Sequence, residues 1–140
     1  MKALPIAALL LLTIPALAHA QEVQIFRVVD GDTIKLLYKG VEESVRLIGV
    51  DTPERGQPGF NEATKFTARM VTGKTVHLEF DHTLRDRYKR LLAYVFLPDG
   101  RMLNEELIRA GHSRAYTKYP FKYMTRFINI DRPILQEKKD

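Results

Sequence analysis

Val45-Arg46-Leu47-Ile48-Gly49-Val50-Asp51-Thr52-Pro53-Glu54 reads as a strand running out of a core into a rigid turn. Alternation puts Val45 and Leu47 on one face and Arg46, with Ile48 and Val50, on the other. Strand interiors seldom hold an arginine without an anionic partner. Strand ends that feed rigid turns are good places to hold functional groups, and Pro53 fixes the backbone ahead of Glu54. One short segment thus offers a cation for a phosphate, an oxygen ligand for a metal and a carboxylate placed to act as a base.

The flanking sequence supplies the partners of this strand. Val23 to Val29 leads into a turn at Asp30-Gly31, and Ile34 to Tyr38 leaves it. Asp-Gly between β-rich runs is a strong turn signal. Lys39-Gly40 turns the chain into the third strand, Ser44 to Val50. Val76 to Phe80 and Leu91 to Leu97 add two more. Between them Asn61 to Val71 places Ala63, Phe66, Met70 and Val71 near one helical face, with Gly73 as the stop. Asn104 to Ala110 reads as a short helix capped by Asn104 and ended by Gly111. A last helix is expected from Phe121 to about Asp131, broken by Pro133. Five strands, mostly in hairpin order, with about three helices predict a mainly β, five-stranded Greek-key barrel of the OB-fold type. An open antiparallel sheet backed by helices is the other arrangement these elements allow.

Residues 1–20 read as a cleaved leader rather than fold. Lys2 supplies the positive start, Ala3 to Ala18 is nearly all apolar, and Ala18-His19-Ala20 is a small-x-small cleavage signal. The apolar run falls short of the roughly 20 residues a membrane span needs. The expectation is a secreted or periplasmic protein with one domain, residues 21–140, and no stable membrane association. The chain has no cysteine, which excludes disulfides, thiolate catalysis and cysteine-ligated zinc. Its net charge of +5 falls by one when Lys2 leaves, and the remaining excess suits either solubility or a polyanionic partner.

Asp32 opens one strand and Asp51 closes another. If those strands pair through the turn at Lys39-Gly40, both carboxylates come to one edge of the sheet. With a backbone carbonyl such as that of Thr52 they form a partial hard-cation site, for which calcium is favoured over zinc because no histidine lies near. The same aspartates also read as turn and cap residues. Glu54 is a candidate general base beside such a cation, or an exposed loop residue. Arg46 is suited to two phosphate oxygens, or to a structural ion pair with a glutamate. Arg90 ends the charged hairpin Leu84-Arg85-Asp86-Arg87-Tyr88-Lys89-Arg90 and is the base nearest a core strand, with Asp81 and Asp86 as local partners of these bases. Tyr116 and Tyr119, interleaved with Lys118, suit stacking on nucleotide bases or serve as barrel lids. His77, His82 and His112 have no metal or triad spacing.

Three ordered stretches together resemble the staphylococcal nuclease (thermonuclease) family. They are Val29-Asp30-Gly31-Asp32-Thr33, Arg46 to Glu54, and Asp86-Arg87-Tyr88-Lys89-Arg90-Leu91-Leu92-Ala93-Tyr94, followed by a fitting helix at Leu103 to Gly111. The resemblance runs from about Val23 to Tyr119. It implies an OB-fold barrel and Ca²⁺-dependent hydrolysis of DNA and RNA that leaves 3′-phosphates. It implies metal binding by Asp32, Asp51 and the Thr52 carbonyl, and catalysis by Arg46, Glu54 and Arg90. Arg87 and Tyr88 match the positions near a nucleotide's terminal phosphate, and Tyr116 the base-stacking tyrosine; Tyr119 lies one position off the next. The chain departs from the family pattern in Lys89, which replaces a glycine, in the short segment Arg55 to Asn61, and in its C-terminus, where Pro133 is expected to cut the last helix short. The other functional reading is a single-stranded nucleic-acid-binding OB module without catalysis. An oligosaccharide or peptide binder on the same barrel is a third. No obligate protein partner is evident, and a monomer is expected.

Overall fold

The computed structural model describes residues 21–139; the expected leader, residues 1–20, lies outside them. The elements in chain order are β1 (Gln21–Asp30), β2 (Thr33–Tyr38), β3 (Val41–Leu47), β4 (Val50–Asp51), α1 (Phe60–Val71), β5 (Thr75–Arg85), β6 (Leu91–Phe96), α2 (Leu103–Arg109), β7 (Arg114–Ala115) and α3 (Met124–Glu137). Five strands close into a barrel in the order β1-β2-β3-β6-β5, so the open-sheet alternative does not hold. Closure comes from the length of β1. Its start pairs with β5, and its remainder, bent by two register shifts, pairs with β2. All barrel pairings are antiparallel except β3–β6, which is parallel.

Inward-facing residues alternate along each strand and fill the barrel, as Ile34 and Leu36, Val45 and Leu47, and Leu91, Ala93 and Val95 show. Helix α1 buries Ala63, Thr67 and Val71, with Phe66 and Met70 half-buried against the same core. Among the described residues no helix is long and apolar enough to cross a membrane.

Three expected elements take a different course. The third strand ends at Leu47, not Val50. Gly49 turns the chain at φ 77°, and a Cβ there would lie 2.7 Å from the Phe121 and Phe127 rings, so only glycine passes beneath them. Beyond this turn Val50 is buried rather than sharing the face of Arg46, and β4 pairs with β7 in a separate two-stranded sheet.

Asn104 is not a helix cap; α2 is capped by Met102, and Asn104 sits buried in its first turn. Its Oδ1 accepts the Val95 N–H, and its Nδ2 donates to the carbonyls of Ile48 and Ala93. The amide satisfies backbone groups where β3 parts from β6, a stronger demand than capping.

The last helix starts at Met124 and passes through Pro133 to Glu137. Phe121 to Tyr123 lie outside it because the Lys122 N–H is drawn to the Asp81 carboxylate. Pro133 is tolerated because it and Asn129, whose carbonyl it leaves without a helical donor, are both exposed to solvent.

Candidate active site

The β1–β2 turn and the chain around Asp51 are locked together. Asp30 Oδ1 accepts the Asp32 N–H at 3.1 Å, which tightens the turn. Thr67 of α1 donates its hydroxyl to the Gly31 carbonyl at 2.6 Å. Gly31 itself lies against Thr52 and Ala63, where a Cβ would approach to 2.8 and 2.9 Å. The buried Asp32 carboxylate accepts the Thr33 hydroxyl on Oδ1 and, at 2.9 Å, the Thr52 N–H on Oδ2.

Arg46 joins this turn to Asp51. Its Nη1 donates to the carbonyls of Leu47 and Val50, both at 2.7 Å. Its Nη2 lies 3.3 Å from Asp32 Oδ2 and 3.2 Å from Asp51 Oδ1. Asp32 and Asp51 therefore meet as expected, with the guanidinium between them, but Asp51 arrives through the Gly49 turn and the separate β4–β7 sheet rather than by the register of the third strand. The ion pair that the strand position demands is made with these aspartates and not with a glutamate. The Arg46 side chain is only 16% exposed, whereas that of Asp51 is 53% exposed. A clamped cation thus faces a carboxylate open to solvent.

Behind Asp51 stands a support that the sequence did not single out. The Asp51 N–H donates to the buried Ser113 Oγ at 2.8 Å, and the Tyr116 N–H donates to the Gly49 carbonyl at 2.8 Å. Strand β7 is in turn held by the buried Asp131 of α3, which accepts from Arg114 Nε and the Ala115 N–H. This ties the half-buried Tyr116 to the same turn. Tyr119 is 64% exposed, with Lys118 over its ring, and among the described residues no hydrogen bond ties its side chain to the turn.

Glu54 is exposed, and its backbone is fixed by Gln57, whose Oε1 accepts the Glu54 N–H and whose N–H donates to the Glu54 carbonyl. Its charge is felt across the site. Burial, then the adjacent Asp32, push Asp30 up to about 6, and Glu54 adds to the effect. Asp32 and Asp51 thus flank the Arg46 guanidinium, and Asp30 lies beside Asp32.

Among the described residues no three His, Asp or Glu side chains gather as a metal cluster. Asp32 and Asp51 converge on one guanidinium nitrogen, and beside them lies the buried Thr52 hydroxyl, which has no hydrogen-bond partner among the described residues. This donor set is all oxygen, which fits a hard cation such as Ca²⁺ completed by water and substrate rather than zinc.

The β5–β6 hairpin presents the second group of bases. Arg90 donates from Nε to Asp86 Oδ2 at 2.7 Å and lies over the Tyr88 ring. Arg87 donates to the Tyr88 hydroxyl and packs on the same ring. Leu91, the next residue, pairs with Val45, so Arg90 enters from the strand beside Arg46. Lys89 stands at φ 64°, the left-handed conformation suspected from the missing glycine, yet the turn closes with its N–H on the Asp86 carbonyl. Asp86 is the expected local partner. Asp81 is not: it accepts from Tyr94, His82 and the Lys122 N–H, and these bonds outweigh its burial and hold its carboxyl well below the usual range.

A family profile described as "Staphylococcal nuclease homologue" matches residues 44–139. The chain belongs to the staphylococcal nuclease family. It is 39% identical over 130 residues to a thermonuclease of Staphylococcus hyicus, covering 88% of this chain and 76% of that protein. It is 45% identical over 95 residues to a thermonuclease of Staphylococcus intermedius, covering 64% of this chain and 56% of the relative. It is 38% identical over 120 residues to the endonuclease YncB of Bacillus subtilis, covering 81% and 56% respectively. The chain thus spans about half the length of the last two. The family match takes in Arg46, Asp51, Thr52, Glu54 and the whole hairpin, while Asp32 precedes it.

Proposed function

We propose that this protein is a Ca²⁺-dependent nuclease that hydrolyses phosphodiester bonds of DNA and RNA with little sugar specificity. One observation carries the reading: Asp32 and Asp51, from separate turns, converge on a single guanidinium nitrogen of Arg46 at 3.3 and 3.2 Å. A purely structural ion pair does not need a second, solvent-open carboxylate, and a binding module does not need carboxylates against a polyanion. Family membership and the names of its relatives as thermonuclease and endonuclease support the same class.

In this proposal Asp32, Asp51 and the Thr52 carbonyl hold the cation. When bound, Ca²⁺ supplies positive charge against the phosphate. Arg46 is the first protein cation at the scissile phosphate. Two carbonyls fix its Nη1, while Nη2 leaves Asp32 and Asp51 to the cation and turns to the phosphoryl oxygens as charge builds on them. Arg90 is the second cation, released from Asp86 or shared with it. Glu54, its backbone held by Gln57, orients a water and takes its proton. Attack at phosphorus breaks the bond to the 5′-oxygen, which takes up a proton from solvent, giving a 5′-hydroxyl and a 3′-phosphate. Arg87 and Tyr88 bind a terminal phosphate, Tyr116 stacks on a base, and Tyr119 adds an outer aromatic surface. Single-stranded or locally melted substrate is preferred because the bases must reach these rings. The leader directs the protein to the periplasm or beyond, where it acts as a monomer.

The test is direct. The purified protein is incubated with single-stranded DNA and with RNA, in Ca²⁺ or in EDTA, and the product ends are identified. Cleavage of both in Ca²⁺ alone, leaving 3′-phosphates, is expected. Binding without cleavage in every condition would establish the non-catalytic module instead.

A further inference from the structure

The arginines around the site are held in two different ways. Arg46 and Arg90 are ion-paired with carboxylates, although Arg90 also lies over the Tyr88 ring. Arg87 and Arg55 instead rest on aromatic rings, of Tyr88 at 4.8 Å and Phe60 at 5.5 Å, and among the described residues neither forms an ion pair. A ring restrains a guanidinium without neutralising it. Arg55 and Arg87 therefore carry positive charge available to a phosphate.

Arg55 stands in an unfavourable place for stability. Phe60 is the first residue of α1, whose N-cap, Gly59, provides no side-chain hydrogen bond. The positive end of a helix dipole favours acids, not an arginine. Its loop is nonetheless ordered, by the paired bonds between Glu54 and Gln57 and by the Phe60 N–H on the Gln57 carbonyl. Gly56, the next residue, is at φ 86°, and a Cβ there would meet nothing within 4 Å, so the loop tip is bare. A cation kept in place, unpaired, on an open loop directly after Glu54 fits an incoming anion better than it fits the fold.

Its position is opposite that of Arg87. The β5–β6 hairpin flanks β3 on one side in the barrel order. Arg55 leads into α1, which is tied to the β1–β2 turn through Thr67 and Gly31, on the other flank of β3. We infer that Arg55 is a substrate-binding residue that takes the phosphate of a nucleotide beyond the scissile bond, on the side away from Arg87. This rests on the nuclease reading and extends the strand's path across the site.

The experiment measures KM for a single-stranded decadeoxynucleotide in Ca²⁺ as a function of salt, for wild type, Arg55→Ala and Arg55→Lys. Loss of one phosphate contact lowers the slope of log affinity against log salt by about 0.7 for a single strand. Arg55→Ala is expected to raise KM several-fold and reduce the slope by that amount, and Arg55→Lys to restore the slope. Shortening the oligonucleotide from the Arg55 side should shrink the difference between wild type and Arg55→Ala. An unchanged slope in Arg55→Ala overturns the inference, whether KM is unaltered or is raised through disturbance of the loop alone. Failure of the wild type to cleave any oligonucleotide would remove the nuclease reading and this inference together; cleavage by the wild type with an unchanged slope in the variant removes only this one.

Discussion

The two proposed catalytic arginines are anchored to different depths. Arg46 is 16% exposed and held by two carbonyls and two aspartates, inside a lattice that also includes Gly31, Thr52 and Thr67. Arg90 is 31% exposed, with one aspartate four residues away, on a hairpin that keeps Lys89 at φ 64°. The first anchors to the fold from several elements at once, and the second to its own turn. The contrast teaches that a side chain of the same chemistry can be part of the stability of a barrel or an addition to its rim. Substitutions should separate the two.

Arg46→Ala should have the largest effect, on both rate and stability. Loss of a charge-stabilising donor costs about 10²–10³ in rate. Leaving the buried Asp32 carboxylate without its cation should cost about 3 kcal/mol, partly recovered on adding Ca²⁺. Single-turnover cleavage and urea unfolding with and without Ca²⁺ check both parts.

Arg90→Ala should lower the rate by about 10² but change stability by less than about 1 kcal/mol, because its ion pair is part-exposed. A large stability loss in urea unfolding would erase the distinction between the two arginines. Gly31→Ala tests the lattice without touching a charge. Its methyl would press on Thr52 and Ala63 and should cost about 1–3 kcal/mol, with a rate loss at temperatures where the protein stays folded, because the Thr52 N–H moves off Asp32. Thermal melting paired with cleavage assays reads this.

Lys89→Gly should have the smallest effect. Relief of the left-handed lysine is worth about 1 kcal/mol, and the freer unfolded chain returns about half of it. A rise in melting temperature of a few degrees is expected, with at most a few-fold gain in rate. A clear loss of both would show that the lysine conformation is not strained.

The sequence made the inner half of the site legible because two turns and one proline fix it. Asp-Gly-Asp-Thr and Asp-Thr-Pro-Glu are strong local signals, and hairpin register sets Thr33 opposite Arg46, while the turn at Gly49 carries Asp51 back to the same guanidinium. The barrel was legible for the same reason, through five apolar runs separated by turns. What stayed hidden depends on contacts distant in sequence. Strands β4 and β7 have two residues each, too few for any periodicity, so Ser113 and Asp131 behind Asp51 gave no sign. Asn104 carries a capping signature, but tertiary demand from Ile48, Ala93 and Val95 overrides it. Pro133 reads as a helix stop, and only its solvent-facing position explains why α3 continues. Nothing in the sequence places Arg55 over Phe60.

The central claim is that the carboxylates and arginine converging at Asp32, Arg46 and Asp51, with Glu54 beside them, form a catalytic centre. It is tested most directly by the rate of single-stranded DNA cleavage in saturating Ca²⁺ by wild type, Glu54→Gln and Arg46→Ala, each confirmed folded. The account predicts a fall of at least about 10² for each variant. Equal cleavage by all three would contradict it.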